Sequence, residues 1–224
     1  MDRDYSVNRD MNKPRRLFWS ALFTVGLSLT GCERSSPYGH IRNLGAPGEN
    51  LVCFGDSLTE GIGAASGEDY PAVLARELGR PVINAGRRGD TSEEGLLRLE
   101  ADVLAHNPRL VVVLFGGNDF LRQFPLSETK KNIAEMVQRI QERGAMVVLV
   151  GMRLGLFTDE YGPVYKEIAR ERGALWIPDI LDGILSDPGL RSDSIHPNGA
   201  GYRLVAGRVL AQVKPLLEEA DRRR

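Results

Sequence analysis

From about residue 50 to the end, short apolar runs alternate along the chain with amphipathic stretches. Residues 51–54, 81–84, 110–115, 146–150 and 175–177 are short and almost continuously apolar, the pattern of strands buried on both faces. The run 110–115 is the strongest of them and reads as a central strand. Between these runs lie segments with helical spacing. Residues 70–78 place Val73, Leu74 and Leu78 on one face, and a capping-box signal from Thr91 to Glu94 opens a helix through Leu96, Leu97, Leu99 and Val103. Ser127 opens a helix carrying Ile133, Val137 and Ile140 that Gly144 closes, and residues 161–172 form another. Pro197 is expected to start a last helix carrying Tyr202, Val205, Val209, Leu210 and Val213, since proline suits a first helical turn. Strand and helix in alternation predict an α/β domain, a doubly wound three-layer sandwich of about five parallel strands with helices on both faces. Ligands of such sheets sit beyond the carboxyl ends of the strands, so the loops that follow strands are where chemistry is expected.

The N-terminus follows different rules. Lys13, Arg15 and Arg16 precede an apolar run over residues 17–29, and Leu29-Thr30-Gly31-Cys32 follows. That tetrapeptide resembles the bacterial lipobox, which implies removal of residues 1–31 as a signal peptide and lipidation of Cys32. A retained membrane anchor is the alternative, but its apolar core spans about 15 residues against the roughly 20 that a crossing helix needs. Residues 32–48 carry Ser35, Ser36, Pro37, Gly39, Gly45, Pro47 and Gly48 without periodicity and are expected to be a flexible tether. The catalytic or binding domain is then 49–224. A lipidated chain would sit in the bacterial cell envelope, facing the periplasm, held by its acyl chains.

Composition narrows the classes further. The chain of 224 residues is 42% hydrophobic and 26% charged, with 29 basic and 30 acidic residues, so it has no electrostatic bias toward nucleic acid. Removing residues 1–31 takes away five basic and three acidic residues and leaves a net charge of −3, without a polybasic patch for membrane binding. Cys32 and Cys53 are the two cysteines, and His40, His106 and His196 lie far apart, so no metal site is expected. Cys53, inside an apolar run, reads as a small core residue. No obligate protein partner is indicated.

Four loops are unusual. Gly55-Asp56-Ser57-Leu58 follows the first strand; its serine is placed for nucleophilic attack, though such a turn equally suits a phosphate cradle. In the loop after the second strand, Gly89 stands just before a helix start, where its N–H could face the same cleft or where a tight turn needs a positive φ. Gly116-Gly117-Asn118-Asp119 follows the third strand, with Asn118 as a side-chain donor or as a turn residue. Near the end, Asp193 and His196 stand three apart, a spacing that lets a carboxylate hold an imidazole, although a histidine before a helix is also a common cap. A serine nucleophile needs a base; His40 lies in the tether and His106 at the end of an amphipathic helix, which leaves His196.

Those four segments, in this order, resemble the signature blocks of the SGNH/GDSL hydrolase family, and are most similar to its bacterial acyl-thioesterase/lysophospholipase/arylesterase branch. The resemblance implies a flavodoxin-like SGNH fold with a catalytic Ser57, Asp193 and His196. It implies an oxyanion hole from the N–H groups of Ser57 and Gly89 and the side chain of Asn118, and no cofactor. The implied activity is hydrolysis of short to medium acyl esters or thioesters, or of lysophospholipid, through an acyl-enzyme. Leu121, with Phe124 and Leu126, and Leu154, Leu156 and Phe157 after the fourth strand are candidates for an acyl pocket. Three rivals remain: a deacetylase of envelope carbohydrate on the same fold, a flavodoxin-like ligand-binding lipoprotein, and an inactive relative. The binding module leaves Asn118 and the Asp193/His196 pair unexplained. The ordinary α/β-hydrolase elbow is excluded because Thr59, not glycine, stands two residues after Ser57.

Overall fold

Alternate residues of the strands point to opposite faces, and in this chain both faces are apolar, so the sheet has to be covered twice. The computed structural model describes residues 36–153 and 159–224. Its strands are β1 (Asn50–Gly55), β2 (Val82–Gly86), β3 (Pro108–Leu114), β4 (Met146–Val150) and β5 (Leu175–Ile177). They form one sheet in the order β2-β1-β3-β4-β5, and every neighbouring pair is parallel. Leu51, Cys53, Val112, Leu114 and Val148 face a core closed by α2 (Tyr70–Leu78) and α7 (Gly199–Arg222). Val52, Phe54, Val111, Val113 and Leu149 face a second core under α3 (Ser92–Asp102), α5 (Leu126–Glu142) and α6 (Tyr161–Arg172). This is the doubly wound, three-layer arrangement expected. Cys53 is free and fully enclosed, and burial pushes its thiol up to about 12, as suits an inert core residue.

Two short helices were not legible in the pattern: α1 (Ser57–Glu60) and α4 (Gly117–Leu121), each directly after a strand. They are too short to show a period, and both begin at residues picked out by the loop motifs. Three expectations need correction. Pro197 is not in the last helix; Asn198 caps it by accepting from Ala200 and Gly201 N–H, and Pro197 lies before the cap in an isolated bridge to Arg191. In α3 the apolar face is rotated: Leu97 is 81% exposed, whereas Arg98 is 9% exposed and points inward beside Leu99.

The third correction concerns the expected tether. From Tyr38 on, it packs onto the domain, with Ile41, Leu44 and Ala46 buried against the core under α2 and α7. Asn43, at φ 63, donates from Nδ2 to the carbonyls of Gln141 and Ala145 (2.8 and 2.9 Å), and Arg224 donates to Ala46 and Gly48. Its glycines and prolines shape a docked loop instead of loosening it. Cys32, and Leu154, Leu156 and Phe157 of the expected pocket, lie outside the described residues.

Candidate active site

Because all strands run the same way, the loops after β1, β2 and β3 leave the sheet at one edge. Gly55 and Gly86 are register partners there, and a side chain on Gly55 would strike the Leu114 carbonyl and Thr59. The chain then turns at once into α1. Asp56 caps it, Oδ1 accepting from Leu58 N–H at 3.0 Å, so Ser57 is the first helical residue. A first-turn N–H has no partner inside the helix, and that of Ser57 meets no acceptor among the described residues. Asp56 itself is 2% exposed. Burial pushes its carboxyl up to about 7; the nearby charges of Asp119 and Asp90 add to the rise, and the Leu58 N–H opposes it.

The second loop turns through Gly89 at φ +81, a conformation that favours glycine, and its N–H also meets no acceptor among the described residues. Thr91 then caps α3 in the expected box: Glu94 Oε2 accepts from Thr91 N–H at 2.8 Å, and Thr91 Oγ1 accepts from Glu94 N–H. In the third loop, Gly116 at φ +107 lies where any Cβ would strike the Tyr165 hydroxyl. Asn118 reaches across to the second loop, Nδ2 donating to the Asp90 carbonyl at 2.9 Å and standing 3.4 Å from Asp56 Oδ2. Asp119 is buried and accepts from Ser92 N–H, Ser92 Oγ and Thr129 Oγ1, which ties α4 to the start of α3.

The fourth loop closes over the first. Asp193 Oδ1 accepts from the N–H groups of Ile195 and His196, both at 2.8 Å, and its Oδ2 lies 2.8 Å from His196 Nδ1. The Ile195 N–H and then the His196 imidazole hold the Asp193 carboxyl below the usual carboxylate range, so it is ionised at neutral pH. His196 Nε2 stands 3.0 Å from Ser57 Oγ. A hydroxyl, an imidazole and a carboxylate 139 and three residues apart in sequence are thereby joined in one chain of hydrogen bonds.

That chain opens on a cavity of about 320 Å³ whose lining includes Ser57, Asn118 and His196. Leu121 lines it as expected, with Phe120 beside it; Phe124 and Leu126 do not, and neither does Gly89. Leu181, Leu185 and Ile195 also line it, residues that the sequence did not single out. Leu181 and Leu185 sit in the irregular segment between β5 and α7, where apolar residues have no period to betray their direction.

The raised Asp56 carboxyl gives a pH signature in stability. Between its ordinary value of 3.8 and about 7 the native state keeps a proton that the unfolded chain has released. The contribution is therefore full below about pH 4 and lost as pH rises through about 7. Asp56→Asn keeps the cap acceptor and removes the buried charge. Its melting temperature is expected to exceed the wild type's by several degrees at pH 8 and to match it near pH 3.5. Melting curves at the two pH values check this; an equal difference at both contradicts it.

Residues 53–204 match the GDSL-like Lipase/Acylhydrolase family. Over 186 residues the chain is 33% identical to Esterase TesA of Pseudomonas aeruginosa, covering 77% of this chain and 91% of that one. It is 30% identical over 180 residues to the Thioesterase 1/protease 1/lysophospholipase L1 of Escherichia coli, covering 77% and 86%. The crystal structure of TesA superposes with a TM-score of 0.71 at 31% identity, over 75% of this chain and 99% of that one. Motifs, fold and relatives agree: the chain belongs to the GDSL-like Lipase/Acylhydrolase family and is a serine hydrolase acting on ester bonds.

Proposed function

We propose that Ser57, His196 and Asp193 form the catalytic triad of an esterase acting on short to medium acyl esters or thioesters. The observation that carries this is the unbroken relay from Ser57 Oγ through His196 to Asp193, at 3.0 and 2.8 Å, on the wall of a cavity of mixed but mainly apolar lining. Ser57 Oγ attacks the acyl carbonyl as His196 Nε2 takes its proton; Asp193 holds the imidazole by Nδ1 and stabilises its cationic form. The tetrahedral oxyanion is met by the N–H groups of Ser57 and Gly89 and by Asn118 Nδ2. Collapse passes the proton to the leaving alcohol or thiol, and water then cleaves the acyl-enzyme by the same route. The cavity lies at the low end of the roughly 300–1,000 Å³ of small-ligand pockets, and Phe120, Leu121, Leu181 and Leu185 suit an acyl chain better than a sugar.

Ser57→Ala is expected to lower kcat on p-nitrophenyl butyrate by about 10⁴-fold or more, with an unchanged circular dichroism spectrum. Asn118→Ala should cost about 10²–10³ in kcat. Esters of increasing acyl length should show an optimum at about four to eight carbons, set by the low-end cavity volume. Full turnover by the Ser57 variant, or a preference for acetylated glycan over all simple esters, would contradict the proposal.

Lipidation of Cys32 places the enzyme in the bacterial envelope, facing the periplasm. A lipoprotein among the relatives, of Bacillus subtilis, supports this, as does the lipobox-like Leu29-Thr30-Gly31-Cys32. Cells given a radioactive fatty acid should label the wild-type chain and leave Cys32→Ala unlabelled; equal label in both, or in neither, defeats the assignment.

A further inference from the structure

Arg98 takes no part in the cavity wall, yet its side chain bonds the first active-site loop to the second, on which the third is hung through Asn118. Its guanidinium lies over the Phe54 ring, 4.6 Å from the centroid, with its side chain 8% exposed. Nε donates to Asp90 Oδ2 at 2.5 Å, Nη2 to the Gly55 carbonyl at 2.9 Å, and Nη1 to the Ala85 carbonyl at 2.9 Å and Asp102 Oδ2 at 3.0 Å. Two of those acceptors are main-chain carbonyls at the carboxyl ends of adjacent strands, β1 and β2. A planar fork with five donors can hold such a set at once; an ammonium group cannot.

The bonds fall next to the proposed oxyanion donors. Gly55 is two residues before Ser57, and Asp90 directly follows Gly89. The Asp90 carbonyl is the acceptor that holds Asn118 Nδ2. Each of the three donors is thus one or two residues, or one further hydrogen bond, from a residue that the guanidinium holds. We propose that Arg98 is a positioning residue for the oxyanion hole, setting the Ser57 and Gly89 N–H groups and Asn118 to a common point without touching substrate. This rests on the triad and oxyanion assignment above. It also accounts for the rotation of α3, which buries an arginine where its neighbour Leu97 is left in solvent.

Arg98→Lys keeps the charge and loses the fork. It should lower kcat by about 10–100-fold with KM within about threefold, because a misplaced oxyanion donor costs transition-state binding more than substrate binding. In the Asn118→Ala background the same change should cost a smaller factor than in the wild type, since one of the three donors it sets is already gone. Arg98→Met with Asp90→Asn removes both buried charges together; its melting temperature should stay near wild type while kcat stays low. Wild-type kcat in Arg98→Lys, equal factors in the two backgrounds, or recovered kcat in the double variant would overturn the proposal. Ser57→Ala run in parallel keeps the two ideas apart. If that variant is active the triad assignment fails, whereas an inactive Ser57 variant beside an unimpaired Arg98→Lys defeats only the role of Arg98.

Discussion

Aspartate carboxylates, three of them buried, hold the reactive loops of this enzyme in place. A parallel sheet brings the ends of its strands to one edge, but it does not orient what lies beyond them. Here each active-site loop contains an aspartate that does so. Asp56 caps α1 and sets Ser57 at its first turn. Asp90 binds Arg98, Asp119 takes the Ser92 N–H and hydroxyl, and Asp193 gathers two N–H groups before it meets the imidazole. Glycine or serine in these loops allows the close approach; the carboxylates make it a single conformation.

Such anchoring has a cost. Asp56, Asp90 and Asp119 are all withdrawn from water on three neighbouring loops, and their mutual repulsion is part of what raises Asp56. Arg98 is the buried cation set among them, and its bonds to Gly55 and Ala85 spread its hold over two strands. Asp193, by contrast, is half exposed, and the Ile195 N–H and the His196 imidazole keep it ionised. The same residue type is thus withdrawn from water in three loops and left accessible to it in the fourth, where it also meets the imidazole.

The sheet was legible because runs such as 110–115 are continuously apolar, rich in valine and too short for a helix, and the covering helices followed from their spacing. The loops were legible because positive φ at Gly89 and Gly116, and capping at Thr91, restrict the residue types allowed. Elsewhere the signals conflicted. Leu97 and Arg98 exchange the places that hydrophobicity assigns them, since a guanidinium with four acceptors can be buried where a leucine would leave Asp90 unpaired. Residues 38–48 have the composition of a linker, but Ile41 and Leu44, with Asn43 between them, are enough to dock it. Leu181 and Leu185 lie in a segment without regular structure, where only the fold shows which way they face.

The central claim is geometric: Ser57 Oγ and three N–H donors address one acyl carbonyl. A crystal structure of the enzyme inactivated with an alkyl fluorophosphonate examines it directly, because the phosphonyl oxygen stands where the oxyanion would. The account predicts a covalent bond from Ser57 Oγ to phosphorus, with that oxygen within about 3 Å of the Ser57 and Gly89 nitrogens and Asn118 Nδ2. An adduct on another residue, or an oxygen turned away from all three donors, would contradict it.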